Sequence, residues 1–326
     1  MPIVKVLTTG GTIATRTGAD GDAIARASGE ELLDGVTVPG VNVEVENVMR
    51  IGSFRMTLDR LGELAKRVIA TLVEPEVAGV VVTHGTDTLE ETAMFLDLFV
   101  ERGRPVVLTG AQRAADSLSS DGSRNLRDAI IVAATTALAG RGVLITFDGS
   151  VFPARGTHKL DSIAATAFGS ASTGQIGWVH ADAFRAAQPA SMPPALPIEA
   201  FNPSRARVDI VPCYPDADGT ALVALVDAGA RGLVLEGLGS GNANPELCDA
   251  VAEATSQGIV VVTASRVQGG PVFPIYADGG GADLVKAGAV PMRSIRPSHA
   301  RILLASLLGV HGDSATVHRT LPRYIA

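Results

Sequence analysis

Short apolar runs that stop at glycine or polar residues recur along this chain, and most are followed by a segment of helical periodicity. They fall at 4–9, 41–48, 79–84, 105–109, 142–147, 206–212, 232–236 and 258–264. Between them, "MTLDRLGELAKRVIATLV" spaces Leu58, Leu61, Leu64, Val68 and Leu72 on one helical face. "LEETAMFLDLFVERG" does the same with Leu89, Ala93, Leu96 and Val100, and Gly103 is its predicted end. Near-continuous apolar strands alternating with helices predict an α/β fold of mainly parallel sheets covered by helices.

A chain of 326 residues is long for one core and comfortable for two domains. The pattern breaks at 186–205, "AAQPASMPPALPIEAFNPSR", where five prolines and little periodicity suit an extended linker. The expected organisation is therefore a larger N-terminal α/β domain over 1–185, the linker, and a smaller α/β domain over 206–326. A net charge of −7 argues against a nucleic-acid partner. No stretch approaches the ~18 uncharged apolar residues of a membrane span. Cys213 and Cys248 lie far apart without metal-ligand spacing, and the aspartates of "ADGD" and "FDG" lack a calcium-loop pattern, so no metal site is expected. Met-Pro-Ile-Val-Lys-Val runs straight into a strand pattern without the features of a signal peptide. A cytoplasmic location is expected, unless a leader has been removed.

Ligands of open α/β sheets sit outside the carboxyl ends of the strands. Four such ends are rich in polar groups: "TTGGTIA" (8–14), "THGTDT" (83–88), "TGAQR" (109–113) and "FDGSV" (147–151). In the first, two glycines permit a sharp turn and place the Thr12 hydroxyl beside backbone amides, the layout of a nucleophile next to an oxyanion hole. A plain strand-to-helix turn with a capping threonine has the same sequence. In the second, Thr88 is the expected helix cap, with Glu90 and Glu91 at the positive end of the helix dipole. Capping does not account for the remaining hydroxyls and the carboxylate. Asp87 suits a substrate ammonium, and Thr86 can attack or position a water if a base is near. His84 reads as a hydrogen-bonded structural histidine.

Together, "TTGGTIA" and "THGTDTLEETA" resemble the two signature segments of the bacterial-type L-asparaginase/glutaminase family. The resemblance runs over essentially the whole chain, through Lys159, the proline-rich segment and "EGLGSGN" (236–242) to "RILLASLLG". It implies hydrolysis of an amino acid's side-chain amide to a carboxylate and ammonia, by threonine chemistry without metal or cofactor. Thr12 matches the first nucleophile, Thr86 the second threonine and Asp87 the carboxylate that binds the α-ammonium. Ser53 aligns with the serine that grips the α-carboxylate, and Lys159 with the lysine beside the second threonine. Ala111 matches the alanine whose carbonyl lies near the leaving amide. Asn242 matches an asparagine supplied by a neighbouring subunit, so a homodimer or tetramer with shared sites is implied. A lysine accepts a threonine's proton only as the neutral amine. An acyl-enzyme on Thr12 and direct attack by water held at Thr86 and Lys159 both remain open.

Three departures bear on this reading. The loop "TRTGADGDAIARASG" (15–29) lacks the tyrosine that secreted members carry there, although its composition still suits a mobile lid. "GGPVFPIYADGGG" (269–281) offers Tyr276 and Asp278 where those enzymes place a glutamate, which resembles the cytoplasmic branch and nominates Tyr276 for the site. Phe54 replaces a glutamine that touches the substrate's α-substituents, and Arg55 beside it could recruit a second carboxylate. L-Asparagine is the expected substrate. D-Asparagine, glutamine or a substituted aspartyl amide are alternatives, as is a non-catalytic amino-acid sensor. A subunit of a tRNA-dependent amidotransferase is disfavoured by the lack of an added N-terminal domain and of a basic surface signal. In "QRAADSLSSDGSRNLRDA" (112–129), Asp116 and Ser117 are expected to shape the pocket floor or cap the following helix.

Overall fold

In a computed structural model of the chain, residues 19, 21, 22, 172, 181, 187–192, 269, 270 and 326 lie outside the described residues. The rest form two compact units, Met1–Ala195 and Leu196–Ala326. The expected linker spans this division. Its residues 187–192 are not described, and beyond them the chain is not fully extended. Single 3-10 turns form at Ile198–Ala200 and Pro203–Arg205, because Leu196 and Ile198 bury their side chains.

In the first unit the strands are β1 (Ile3–Gly10), β2 (Thr15–Thr17), β3 (Ala23–Ala25), β4 (Asn42–Ile51), β5 (Val77–Thr83) and β6 (Val106–Thr109). They continue with β7 (Val143–Phe147), β8 (Ser150–Pro153), β9 (His158–Lys159), β10 (Phe168–Gly169), β11 (Gly177–His180) and β12 (Ala183–Ala186). One sheet runs β12-β11-β8-β7-β6-β5-β1-β4. From β4 to β7 the pairs are parallel; from β7 to β12 they are antiparallel. The helices are α1 (Gly29–Leu33), α2 (Leu58–Leu72), α3 (Leu89–Phe99) and α4 (Gly122–Ala133). The parallel strands are covered by helices and read as unbroken Val/Leu/Ile runs, with Val4, Val6, Val81, Val107 and Leu144 fully buried.

α2 turns Leu61, Leu64 and Val68 inward, on the face the sequence spaces out. α3 differs from the one-sided helix expected: every residue from Thr92 to Phe99 is buried, because α2 packs on it while it lies on the strands. It stops at Phe99, where Val100 turns extended (φ −83, ψ 128), and not at Gly103. The loop read as suited to a mobile lid carries the paired strands β2 and β3, with Thr15 opposite Ala25; its residues 19, 21 and 22 are not described.

The second unit holds a four-stranded parallel sheet, β13 (Val208–Pro212), β14 (Gly232–Gly237), β15 (Val260–Ser265) and β16 (Val290–Pro291), in that order. Helices α5 (Thr220–Asp227), α6 (Pro245–Ser256), α7 (Gly281–Lys286), α8 (Pro297–His311) and α9 (Ser314–Thr320) accompany it. Among the described residues no helix is long and apolar enough to cross a membrane.

The parallel strands of the first unit end together, and two glycines let their corners meet. Gly11 has φ 81, and a Cβ there would lie 2.3 Å from Gly85 Cα and N. Gly85 in turn leaves no room for a Cβ, which would lie 2.5 Å from Ser53 Oγ. Gly11→Ala is expected to destabilise the first unit by roughly 2–4 kcal/mol, since both the backbone conformation and the approach oppose a methyl. The urea midpoint measures this, and an unchanged midpoint would show that the corners do not depend on this contact.

Candidate active site

The corner after β1 turns through Gly11 into a 3-10 turn over Thr12–Ala14. The corner after β4 makes a similar turn over Ser53–Arg55. The corner after β5 carries Thr86 and Asp87, and that after β6 carries Ala111 and Gln112. Gly11, Thr12, Ser53, Phe54, Thr86, Asp87 and Gln112 line one cavity of about 520 Å³, with Arg50, Arg55 and Ile24 also on its wall. Free amino acids fit well within such a volume, and pockets of this size routinely take larger ligands.

A polar chain runs through Thr86, Asp87 and Gln112 on the cavity wall to Lys159 and Asp161, which do not line it. Lys159 Nζ donates to Thr86 Oγ1 at 2.8 Å and lies 3.3 Å from Asp87 Oδ1. Thr86 Oγ1 donates to Gln112 Oε1 at 3.0 Å, and Gln112 Nε2 reaches the Asp161 carbonyl at 3.4 Å. Donor and acceptor roles at Gln112 follow from the hydrogen-bond network and would reverse if Thr86 gave its proton to Lys159. The Asp87 side chain is 59% exposed, so its ion pair with Lys159 leaves the carboxylate open to a ligand. Ser53 Oγ is buried and has no hydrogen-bond partner. An orphaned buried hydroxyl costs about 1–3 kcal/mol unless a ligand or water satisfies it.

Several sequence expectations change here. Gly11 N–H donates to the Ile51 carbonyl at 2.9 Å, so it is not free to serve an oxyanion. Thr88 occupies the cap position of α3 but makes no side-chain cap. Its hydroxyl donates instead to the Ser53 carbonyl at 2.8 Å. Asp116 and Ser117 are not on the cavity wall; the shaping is done by Asp121, whose carboxylate accepts the Gln112 and Arg113 amides and Asn125 Nδ2. Ala111 is fully buried and does not line the cavity. Gln112, its neighbour in the same motif, does, and its polar side chain beside Ala111 was the available signal. Glu90, read only as a dipole partner, accepts the Lys159 amide at 2.6 Å.

Asn242 and Tyr276 belong to the second unit. Asn242 Oδ1 accepts the Gly281 amide at 3.0 Å. Tyr276 is 57% exposed, beside the exposed Phe273 and Ile275.

His84 is fully buried and is structural. Its Nδ1 donates to the Gly85 carbonyl at 2.8 Å, which leaves Nε2 to accept from Thr92 Oγ1 at 3.0 Å. Burial pushes its pKa down from 6.5 to about 4, against smaller opposing effects of the Gly85 carbonyl and Asp87. Between these values the unfolded chain takes a proton that the folded chain refuses. Stability is therefore lost as pH falls below 6.5, and this contribution levels off below about 4. His84→Gln, which keeps a donor and an acceptor without titrating, is expected to flatten that loss in thermal midpoints measured from pH 7 to 4. An equally steep loss would assign it to other groups.

The chain matches two family models in tandem, "Asparaginase, N-terminal" over residues 3–191 and "Glutaminase/Asparaginase C-terminal domain" over residues 207–321. It is 37% identical to a probable L-asparaginase of Deinococcus radiodurans, over 98% of this chain and 97% of that protein. It is 35% identical to an L-asparaginase of Bacillus licheniformis, over 95% and 96% respectively. The crystal structure of a probable cytoplasmic L-asparaginase from Campylobacter jejuni superposes with a TM-score of 0.86 at 29% identity, covering 99% of this chain and 100% of that one. Fold and sequence together define an amidohydrolase. The chain belongs to the asparaginase/glutaminase family.

Proposed function

We propose that the protein hydrolyses the side-chain amide of L-asparagine to L-aspartate and ammonia. The observation that carries this reading is the 2.8 Å bond between Lys159 Nζ and Thr86 Oγ1, beside Asp87 on a cavity that also holds Thr12. Asp87 takes the substrate's ammonium, and the orphaned Ser53 hydroxyl donates to its α-carboxylate. That anchoring turns the side-chain amide toward the two threonines.

Two routes use this geometry. In the first, Thr12 Oγ1 adds to the amide carbon, the C–N bond breaks, and ammonia leaves with the hydroxyl proton. Water then adds to the resulting ester, its proton passing by way of Thr86 and the neutral Lys159 amine to the leaving Thr12 Oγ1 as the C–O bond breaks. In the second, water held at Thr86 and Lys159 adds directly to the amide carbon, its proton passes through the neutral Lys159 amine to the amide nitrogen, and the C–N bond breaks to release ammonia. In either, the amides of Thr12 and Ile13, after the occupied Gly11 N–H, are the candidate donors to the developing oxyanion. Thr12→Ala and Thr86→Val are each expected to reduce ammonia release by at least ~10³-fold while the circular dichroism spectrum is unchanged. Near-native rates in either folded variant would overturn the assignment.

A second reading, that a different amide is the preferred substrate, is favoured by one observation. Phe54 is 75% exposed on the cavity wall, with Arg50 and Arg55 alongside. An aromatic ring and two guanidinium groups near Ser53 suit a bulkier or more anionic α-substituent than free asparagine has. A kcat/KM panel of L-asparagine, D-asparagine, L-glutamine and substituted aspartyl amides decides between them. Phe54→Gln is expected to move the ratios by about 10-fold toward L-asparagine; unmoved ratios would take Phe54 out of specificity.

The proposal extends to assembly and location. Asn242 and Tyr276 complete the site of a neighbouring copy in a homodimer or tetramer; the exposure of Tyr276, Phe273 and Ile275 supports a partner there. A cytoplasmic location is supported by the description of the Campylobacter jejuni structure.

A further inference from the structure

Three side chains on the first turn of α3 each grip a different part of the proposed site. Thr88 Oγ1 donates to the Ser53 carbonyl at 2.8 Å. Glu90 accepts the Lys159 amide at Oε2 (2.6 Å) and His158 Nδ1 at Oε1 (3.0 Å). Thr92 Oγ1 holds His84 Nε2, and the same ring donates to the carbonyl of Gly85, the residue before Thr86. None of Thr88, Glu90 and Thr92 lines the cavity itself.

Of the gripped segments, the one that carries Lys159 has the least other support; the corners of Ser53 and Gly85 are also held by the Gly11–Gly85 approach and by the turn over Ser53–Arg55. Lys159 lies on β9, a two-residue strand that among the described residues pairs only with β10 and stands outside the eight-stranded sheet. Two ladder residues do not fix an ammonium to within the few tenths of an ångström that proton transfer demands. Ser53 and Gly85 lie at corners outside the strands, Ser53 at the start of a single 3-10 turn. α3, by contrast, is buried at Leu89 and from Thr92 to Phe99, with Leu89, Ala93, Phe95 and Leu96 at 0% exposure. It is therefore the rigid body to which the corners can be referred.

We infer that the first turn of α3 is a positioning device. Glu90 sets the base by holding the Lys159 backbone, Thr88 sets the carboxylate-binding Ser53, and Thr92 acts through His84 on the corner that carries Thr86. None of the three touches substrate. The arrangement separates their effects: Glu90 governs the chemical step, and Thr88 governs binding. The inference rests on the proposed roles of Lys159 and Ser53.

The test is steady-state kinetics on full-length Glu90→Ala, Glu90→Gln and Thr88→Val, with Lys159→Met as reference and thermal midpoints for all. Displacing Lys159 is expected to lower kcat of Glu90→Ala by about 30–100-fold with KM within about 3-fold of the parent. Glu90→Gln, whose Oε1 can still accept the Lys159 amide, is expected to recover most of that loss. Thr88→Val is expected to raise KM about 5–10-fold with kcat nearly unchanged. Should Glu90→Ala not fold, Glu90→Asp carries the same test, because the shorter side chain keeps its charge but falls short of the Lys159 amide. The inference is overturned if kcat, KM and thermal midpoint shift in the same proportion in the Glu90 and Thr88 variants. It is also overturned if Glu90→Ala keeps its kcat while Lys159→Met is inactive. An active Lys159→Met would instead remove the proposed base, a separate failure.

Discussion

The backbone contact between Gly11 and Gly85 is the constraint on which the site depends. A Cβ on Gly11 would fall 2.3 Å from the Gly85 backbone, so a side chain at this point would hold the corners after β1 and β5 apart. With both side chains absent, Thr12 and Thr86 come to one cavity from strands that are neighbours in the sheet. Gly85 then admits Ser53 Oγ from the third side. Parallel pairing places the strand ends at one edge; the glycines turn that shared edge into a single pocket.

Around this contact the polar groups divide into those that bind one another and those left for a ligand. Asp121 consumes the amides of Gln112 and Arg113, and Thr88 consumes the Ser53 carbonyl. His84, held neutral by burial, fastens the Gly85 carbonyl without adding charge. What stays open is the Ser53 hydroxyl and the exposed Asp87 carboxylate. An acceptor-only group and a donor hydroxyl on the wall of one cavity are what an amino acid's ammonium and carboxylate require.

Much of this was legible from residue order. The strand runs and the polar corners are local signals, because an unbroken apolar run followed by glycine and hydroxyls has few other foldings. The motif pair carried the family. Less legible were the assignments that hinge on which neighbour a side chain meets. Thr88 has the sequence of a cap yet spends its proton on a carbonyl 35 residues earlier. Asp116 and Asp121 are alike in type and setting, but only Asp121 faces the Gln112 amide. Glu90 reads as a dipole partner, since nothing local says that Lys159, 69 residues on, returns to it. α3 reads as amphipathic, since nothing within its own window says that the preceding helix, α2, lies across its outer face.

By itself, then, the order of residues determined the alternation of strand and helix and the polar strand ends, both properties of short windows, while the threonine, aspartate and lysine set was nominated by the family resemblance. Tertiary structure decided the pairing of Lys159 with Thr86, the isolation of the Ser53 hydroxyl, the occupation of the Gly11 amide and the exposure of Phe54. The reason is geometric. Hydrogen bonds discriminate over tenths of an ångström between residues tens of positions apart, and only the packed sheet and its corners set those distances.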